Sequence, residues 1–166
     1  MRLVKPTTKY QKSFLQAVKE SHKEGRNKDI ESKQSPKQFA EFVKKLRDQE
    51  KRVPKGYVLQ SVFWLVDRNK FIGRVSVRHN LTKRLREEGG HIGYEIRPSE
   101  RRKGYGKKIL KLGLRKTLQL DIKKALVTCD DDNVGSQKII EANGGILQDK
   151  IRKGEKLVRR YWIKIK

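Results

Sequence analysis

Apolar residues recur along the chain with two spacings, one helical and one alternating, and these divide it into elements. Residues 2–4 form a short strand ended by Pro6, and Thr7 or Thr8 then caps a helix to about His22 with Phe14, Leu15 and Val18 on one face. The polar stretch from His22 to Gln34 reads as a loop or a short irregular helix. Ser35, Pro36 and Gln38 make a second helix start, with Phe39, Phe42, Val43 and Leu46 as its buried stripe. Strands at 62–66 and 71–78 flank the turn-forming run Asp67-Arg68-Asn69-Lys70 and read as a hairpin. A basic loop over 80–88 leads through Gly89-Gly90 to a strand at 91–97, which Pro98 stops.

A helix follows from Gly104 to about Leu120, with Ile109, Leu110, Gly113, Leu114, Thr117 and Leu118 on its inner side. Residues 125–129 are nearly all apolar, as in a strand buried on both faces. A short helix over 133–142 ends at Asn143-Gly144-Gly145, and strands at 145–152 and 157–165 close the chain. The order predicts an α/β (α+β) fold whose sheet has antiparallel and parallel parts.

Composition narrows the class. The 166 residues fit one domain spanning 1–166, and the 34% that are hydrophobic imply a compact core under a charged surface. A formal net charge of +24 attracts polyanions and repels cationic small molecules. The lone Cys129 excludes an internal disulfide and a cysteine-based zinc cluster, and no metal is expected. No apolar run approaches the roughly 20 residues of a membrane span, and the first residues lack a signal peptide's apolar stretch. A cytoplasmic protein without a membrane partner is expected.

The run RRKGYGKK, from Arg101 to Lys108, raises the question of chemistry. A P-loop fails, because Lys108 follows Gly106-Lys107 and Arg101 stands where the first glycine belongs. A dinucleotide fingerprint fails because Ile109 replaces its third glycine. What remains is strand, proline, basic turn, Gly-x-Gly and helix. Such a turn brings N–H groups together at the positive end of a helix dipole. Seven basic residues from Arg97 to Lys111 face one acid, Glu100, so a multiply charged phosphate ligand would be well held.

HIGYEIRPSERRKGYGKKIL resembles motif A of the GNAT superfamily of N-acetyltransferases, with Arg101, Gly104 and Gly106 on its signature positions. DNVGSQKIIEANGG resembles motif B, and the intervening strand and spacing extend the resemblance over nearly the whole chain. Within the superfamily, the run from Arg78 to Gly106 is similar to a bacterial branch of predicted acetyltransferases.

The resemblance implies a mixed, mostly antiparallel sheet of six to seven strands with helices on both faces. It also implies a V-shaped splay between two central parallel strands, here 91–97 and 125–129. Acetyl-CoA is then the co-substrate, and a bulge near Glu95, Ile96 and Arg97 frees backbone groups for its pantetheine arm. The pyrophosphate is expected on backbone N–H groups of Arg102, Lys103, Gly104, Tyr105, Gly106 and Lys107. Asn133 matches the motif B asparagine, and Ser136 lies one turn later. Asn133 also reads as a plain N-cap.

The implied reaction is direct attack of a primary amine on the thioester. Glu95 is the first candidate for general base and His91 the second. Motif B's frequent tyrosine is replaced by Ile140, leaving Tyr161, Tyr94 and Tyr105 as available phenols, with Tyr161 the candidate acid and water the alternative. Cys129 reads as a small buried residue. The acceptor is a small-molecule or protein amine, and a homodimer is compatible. The alternative reading is a basic nucleic-acid- or ribosome-associated binding protein on the same fold. It draws on the net charge and on the basic stretch from Lys150 to Lys166.

Overall fold

The computed structural model of the chain describes residues 1–165; Lys166, which ends the basic closing stretch and the expected domain, lies outside them. Strand β1 (Arg2–Val4) pairs with β2 (Gln60–Asp67), β2 with β3 (Lys70–Arg78), and β3 with β4 (Ile92–Ile96), all antiparallel. A second sheet has the order β5-β7-β6, with β5 (Lys124–Asp130), β6 (Gly145–Lys153) and β7 (Lys156–Lys164) also antiparallel. The helices are α1 (Gln11–Lys23), α2 (Pro36–Asp48), α3 (Lys83–Glu87), α4 (Tyr105–Leu118) and α5 (Val134–Glu141).

Most boundaries fall within one or two residues of those read from the sequence. Two local differences stand out. A 3-10 turn over Thr8–Tyr10 precedes α1, and Thr7 makes no side-chain cap. The basic loop contains α3, whose start is fixed by the Thr82 hydroxyl accepting from the Leu85 N–H. At α2 the expected capping box is present, Ser35 and Gln38 each satisfying the other's backbone N–H.

The seven strands form two sheets that meet at a seam. The His91 N–H donates to the Leu126 carbonyl at 2.7 Å, and the Leu126 N–H donates to His91 Nδ1 at 2.9 Å. Gly90, at φ 60°, makes this approach feasible, because a Cβ there would stand 2.3 Å from the Leu126 oxygen. Beyond the seam β4 and β5 share no ladder, so the expected splay is the boundary between two sheets. The expected bulge in β4 is absent, since β3 and β4 stay in register from Gly73–Ile96 to Val77–Ile92. Register shifts fall instead opposite Leu65–Val66 and at Leu147–Asp149.

Two cores hold the layers. Leu65, Val75 and Ile92 of the first sheet pack with Ile109 and Leu110 of α4, Val127 of β5, Ile140 of α5 and Tyr161 of β7. On the other face of the first sheet, Trp64 and Phe71 meet Phe14 of α1 and Phe39 of α2. Phe14 stacks on Trp64 with ring centroids 4.7 Å apart. Burying each such ring contributes about 2 kcal/mol. The second core therefore clamps α1 and α2 over one face of β2 and β3.

Candidate functional site

The β4–α4 turn builds an anion cradle from backbone conformation. Arg102 and Gly104 both take positive φ, 63° and 78°. Among the described residues, the N–H groups of residues 102 to 107 find no protein acceptor. These donors, at the positive end of α4, fit the pyrophosphate of a coenzyme. Gly104 supplies the left-handed turn, with open space where a Cβ would sit. Gly106 serves another purpose. Its Cβ would stand 2.4 Å from Ile139 Cδ1, so its bareness lets α4 and α5 touch.

Of the five basic side chains in this turn, Arg101 and Lys103 are committed to protein partners. Arg101 donates through Nε to the Ile96 carbonyl at 3.2 Å and pairs with the Glu24 carboxylate at 2.8 Å. Lys103 and Lys70 both pair with Glu100, a buried acid that they hold below the ordinary carboxylate range. Arg97, expected beside the coenzyme, is bound elsewhere. Its guanidinium pairs with Glu20 on α1 and its N–H donates to the Ile72 carbonyl. The Arg97 pair holds the Glu20 carboxyl down to about 2.

Edge parity determines which backbone groups of β4 face the gap. Arg97 donates to Ile72, and Arg78 donates to His91, so odd-numbered residues of β4 bond to β3. Tyr94 and Ile96 consequently turn their N–H and C=O groups toward β5. The cleft between β4 and α5 is lined by Tyr94, Ile96, Arg101, Arg102, Gly106, Asn133, Ser136 and Ile139. Asn133 caps α5, its side-chain oxygen accepting from the Ser136 N–H at 2.9 Å. Tyr105 leans on the core as the helix starts, while Lys107 is exposed.

Across this cleft the Tyr94 and Ser136 hydroxyls lie 2.7 Å apart. Burial pushes the Tyr94 phenol up to about 12, more than the Ser136 bond pulls it down. Tyr161 is 1% exposed and donates to Glu141 at 3.2 Å, so it belongs to the core and lies outside the cleft. Its place on β7 matches the strand expected at 157–165, whereas its burial beside Glu141 is set by residues distant in the chain. Cys129 is also buried, and burial raises its thiol to about 11, leaving it un-ionised.

Glu95 stands where this cleft joins a second groove. Its carboxylate accepts from Asn27 Nδ2 at 3.0 Å and pairs with Arg74 at 3.2 Å and Arg26 at 3.7 Å. Arg26 and Asn27 come from the polar α1–α2 loop, and no periodicity marked them. The positive φ of Asn27, 53°, is the conformational reason for an asparagine there. His91 lies at the seam instead, with Nδ1 accepting from Leu126, and burial with Arg86 and Arg78 lowers it to about 4.

Fold and gap place the chain among acyltransferases that draw on acetyl-CoA. The acetyltransferase (GNAT) domain model matches residues 3–146, and the chain belongs to that family. No curated protein sequence matches the chain. Solved structures share its fold at low identity. The Salmonella typhimurium acetyltransferase that modifies the N-terminal serine of 50S ribosomal subunit protein L7/L12 gives a TM-score of 0.66 at 18% identity, covering 99% of this chain and 94% of that one. The microcin C7 self-immunity acetyltransferase MccE, solved with acetyl-CoA and AMP, gives 0.70 at 15% identity, covering 98% and 91%. A GNAT-family acetyltransferase from Streptococcus pneumoniae gives 0.66 at 12% identity, covering 99% of both chains. No group of metal-ligating side chains occurs among the described residues, and no described helix is long and apolar enough to cross a membrane.

Proposed function

We propose that residues 1–166 act as one cytoplasmic catalytic unit that acetylates the primary amine of a protein or small molecule. One observation carries this reading: the coenzyme cleft and the groove beneath α2 share Tyr94 and Glu95, with Arg26 beside them. A coenzyme entering from one side and an amine from the other meet at these two residues. The Salmonella neighbour's action on a protein N-terminus supports a protein α-amine as one acceptor class.

Bound acetyl-CoA supplies an acetyl thioester. The N–H groups of residues 102 to 107 hold its phosphates, and the outward-facing backbone groups of Tyr94 and Ile96 align its pantetheine arm as an added strand. Asn133 and Ser136 border that arm. Glu95 takes a proton from the acceptor amine as the new C–N bond forms. As the C–S bond breaks, Tyr94 donates its hydroxyl proton to the departing thiolate, and Ser136 stands within reach to restore it. Arg101 must release the Ile96 carbonyl for the arm to pair there, and Glu24 holds it aside when it does.

Titration calorimetry with acetyl-CoA tests the cradle, with binding of about micromolar affinity expected. Thiol release with a panel of amines tests transfer. A protein that binds acetyl-CoA yet acetylates no amine overturns this reading.

A further inference from the structure

The groove beneath α2 has a charge arrangement that the transfer reaction alone does not require. Strand register sets its floor in rows: Trp64, Arg74 and Glu95; then Val62, Ser76 and Gly93; then Gln60, Arg78 and His91, with Arg78 accepted by the His91 carbonyl. The first row is capped by Phe14 and Phe39, whereas the later rows lie open beside Phe42, Lys45 and Leu46 of α2. Gly93 keeps the middle of the floor low. A Cβ there would lie 3.3 Å from Ser76 Oγ and 3.6 Å from Arg78 Nη2.

Four cations line this groove, Arg26, Lys45, Arg74 and Arg78, against two acids, Asp29 and Glu95. Glu95 is already engaged by Arg26 and Arg74, whereas Arg78 has no acid partner among the described residues. Its Nη1 donates to the Gly89 and Gly90 carbonyls at 2.8 and 2.9 Å, which aims the guanidinium but leaves its charge uncompensated. Burial is the one cause that lowers its pKa. A mostly buried, oriented cation without a counter-charge is costly unless an anion visits it. Trp64 borders the groove, and its buried indole N–H has no acceptor among the described residues.

We propose that this groove selects an acidic peptide N-terminus as acceptor, with Arg78 anchoring a carboxylate a few residues from the reacting amine. The inference rests on the amine-acceptor reading above and names its substrate class. Arg78 stands four positions along β3 from Arg74, the partner of Glu95. At ~3.3 Å per residue the backbone separation is about 13 Å, and the guanidinium, turned back over Gly93, stands about two residues, ~7 Å, along the strand from Glu95. A free amino acid holds its carboxylate far too near its amine to span it. An extended peptide with Asp or Glu within its first few residues does span it. The net charge of +24 steers the same acidic partners toward the surface.

The test uses N-terminally free pentapeptides that differ only by Asp or Asn at the second, third or fourth position, assayed by thiol release with acetyl-CoA. The wild-type enzyme is expected to favour at least one Asp peptide over its Asn twin by about tenfold or more in kcat/KM, as for a charged hydrogen bond left unmade. Arg78→Gln should erase that preference while calorimetry still shows acetyl-CoA bound. Should Arg78→Gln fail to fold, Lys45→Gln, an exposed change on α2, should still shrink the preference. Equal kcat/KM on every Asp and Asn pair in the wild type overturns the anion groove and leaves amine acetylation standing. No turnover of any peptide or amine by a protein that binds acetyl-CoA overturns the underlying reading as well.

Discussion

The hydroxyls of Tyr94 and Ser136 meet at 2.7 Å, joining β4 to α5 across the gap between the two sheets. Neither residue has a charged partner there, and burial keeps the phenol protonated to about pH 12. As the proposed proton donor, Tyr94 would stay loaded at every pH where a free amine attacks. Tyr94→Phe is expected to lower kcat by about 100-fold or more, within the range for a lost general acid. Acetyl-CoA affinity should change little. Stopped-flow or steady-state thiol release checks this, and an unaltered kcat would assign the proton to water.

Glu95 gives a prediction in pH rather than in rate alone. Glu95→Gln keeps the hydrogen-bonding shape toward Asn27 but removes the charge that pairs with Arg74 and Arg26. If Glu95 accepts the amine's proton, the variant loses about 100-fold in kcat/KM and the acid limb of its pH profile changes form. A profile of unchanged shape would remove Glu95 as the base.

The two motif A glycines should fail differently. Gly104→Ala places a side chain at φ 78° with no neighbour to strike, and should cost about 1 kcal/mol through backbone strain alone. Gly106→Val drives a branched side chain into Ile139, 2.4 Å from the first added carbon, and should push α5 from α4. Acetyl-CoA affinity should fall about tenfold or more for Gly106→Val, and Ile139→Ala should restore part of it. Calorimetry and thermal melts separate the two effects.

His91 is expected to act on stability. His91→Ala removes the acceptor of the Leu126 N–H and should destabilise by about 1–3 kcal/mol, the cost of an unmade buried bond. The pH dependence of turnover should remain that of the wild type. The folded pKa of His91, about 4, lies below its ordinary 6.5. Its contribution is therefore present above pH 6.5 and is lost as pH falls through 4.

Glu20 extends acid sensitivity further down. Its folded pKa, about 2 against 4.5, means that its pairing with Arg97 holds above pH 4.5 and is lost as pH falls toward 2. Because the pair still reaches water, screening limits its contribution to about 1 kcal/mol. Denaturant melts of Glu20→Gln should show a flatter acid limb than the wild type between those pH values.

The sequence by itself determined most of the elements and the glycine turn that opens α4. Period and punctuation are local properties, so α2 with its Ser35–Gln38 box, the hairpin at Asp67–Lys70 and the Gly104 turn were legible from neighbouring residues. The short helix α3 escaped because a basic run without apolar spacing carries no periodic signal. Tertiary structure decided everything that depends on residues far apart in the chain. It drew Arg97 to Glu20, put Tyr161 in the core, committed His91 to the seam and gave Gly106 to Ile139. It also brought Asn27 and Arg26 from a featureless loop onto Glu95, and left Arg78 without an acid among the described residues. Spacing along a strand fixes which face a side chain takes. Only the folded chain fixes what waits on that face.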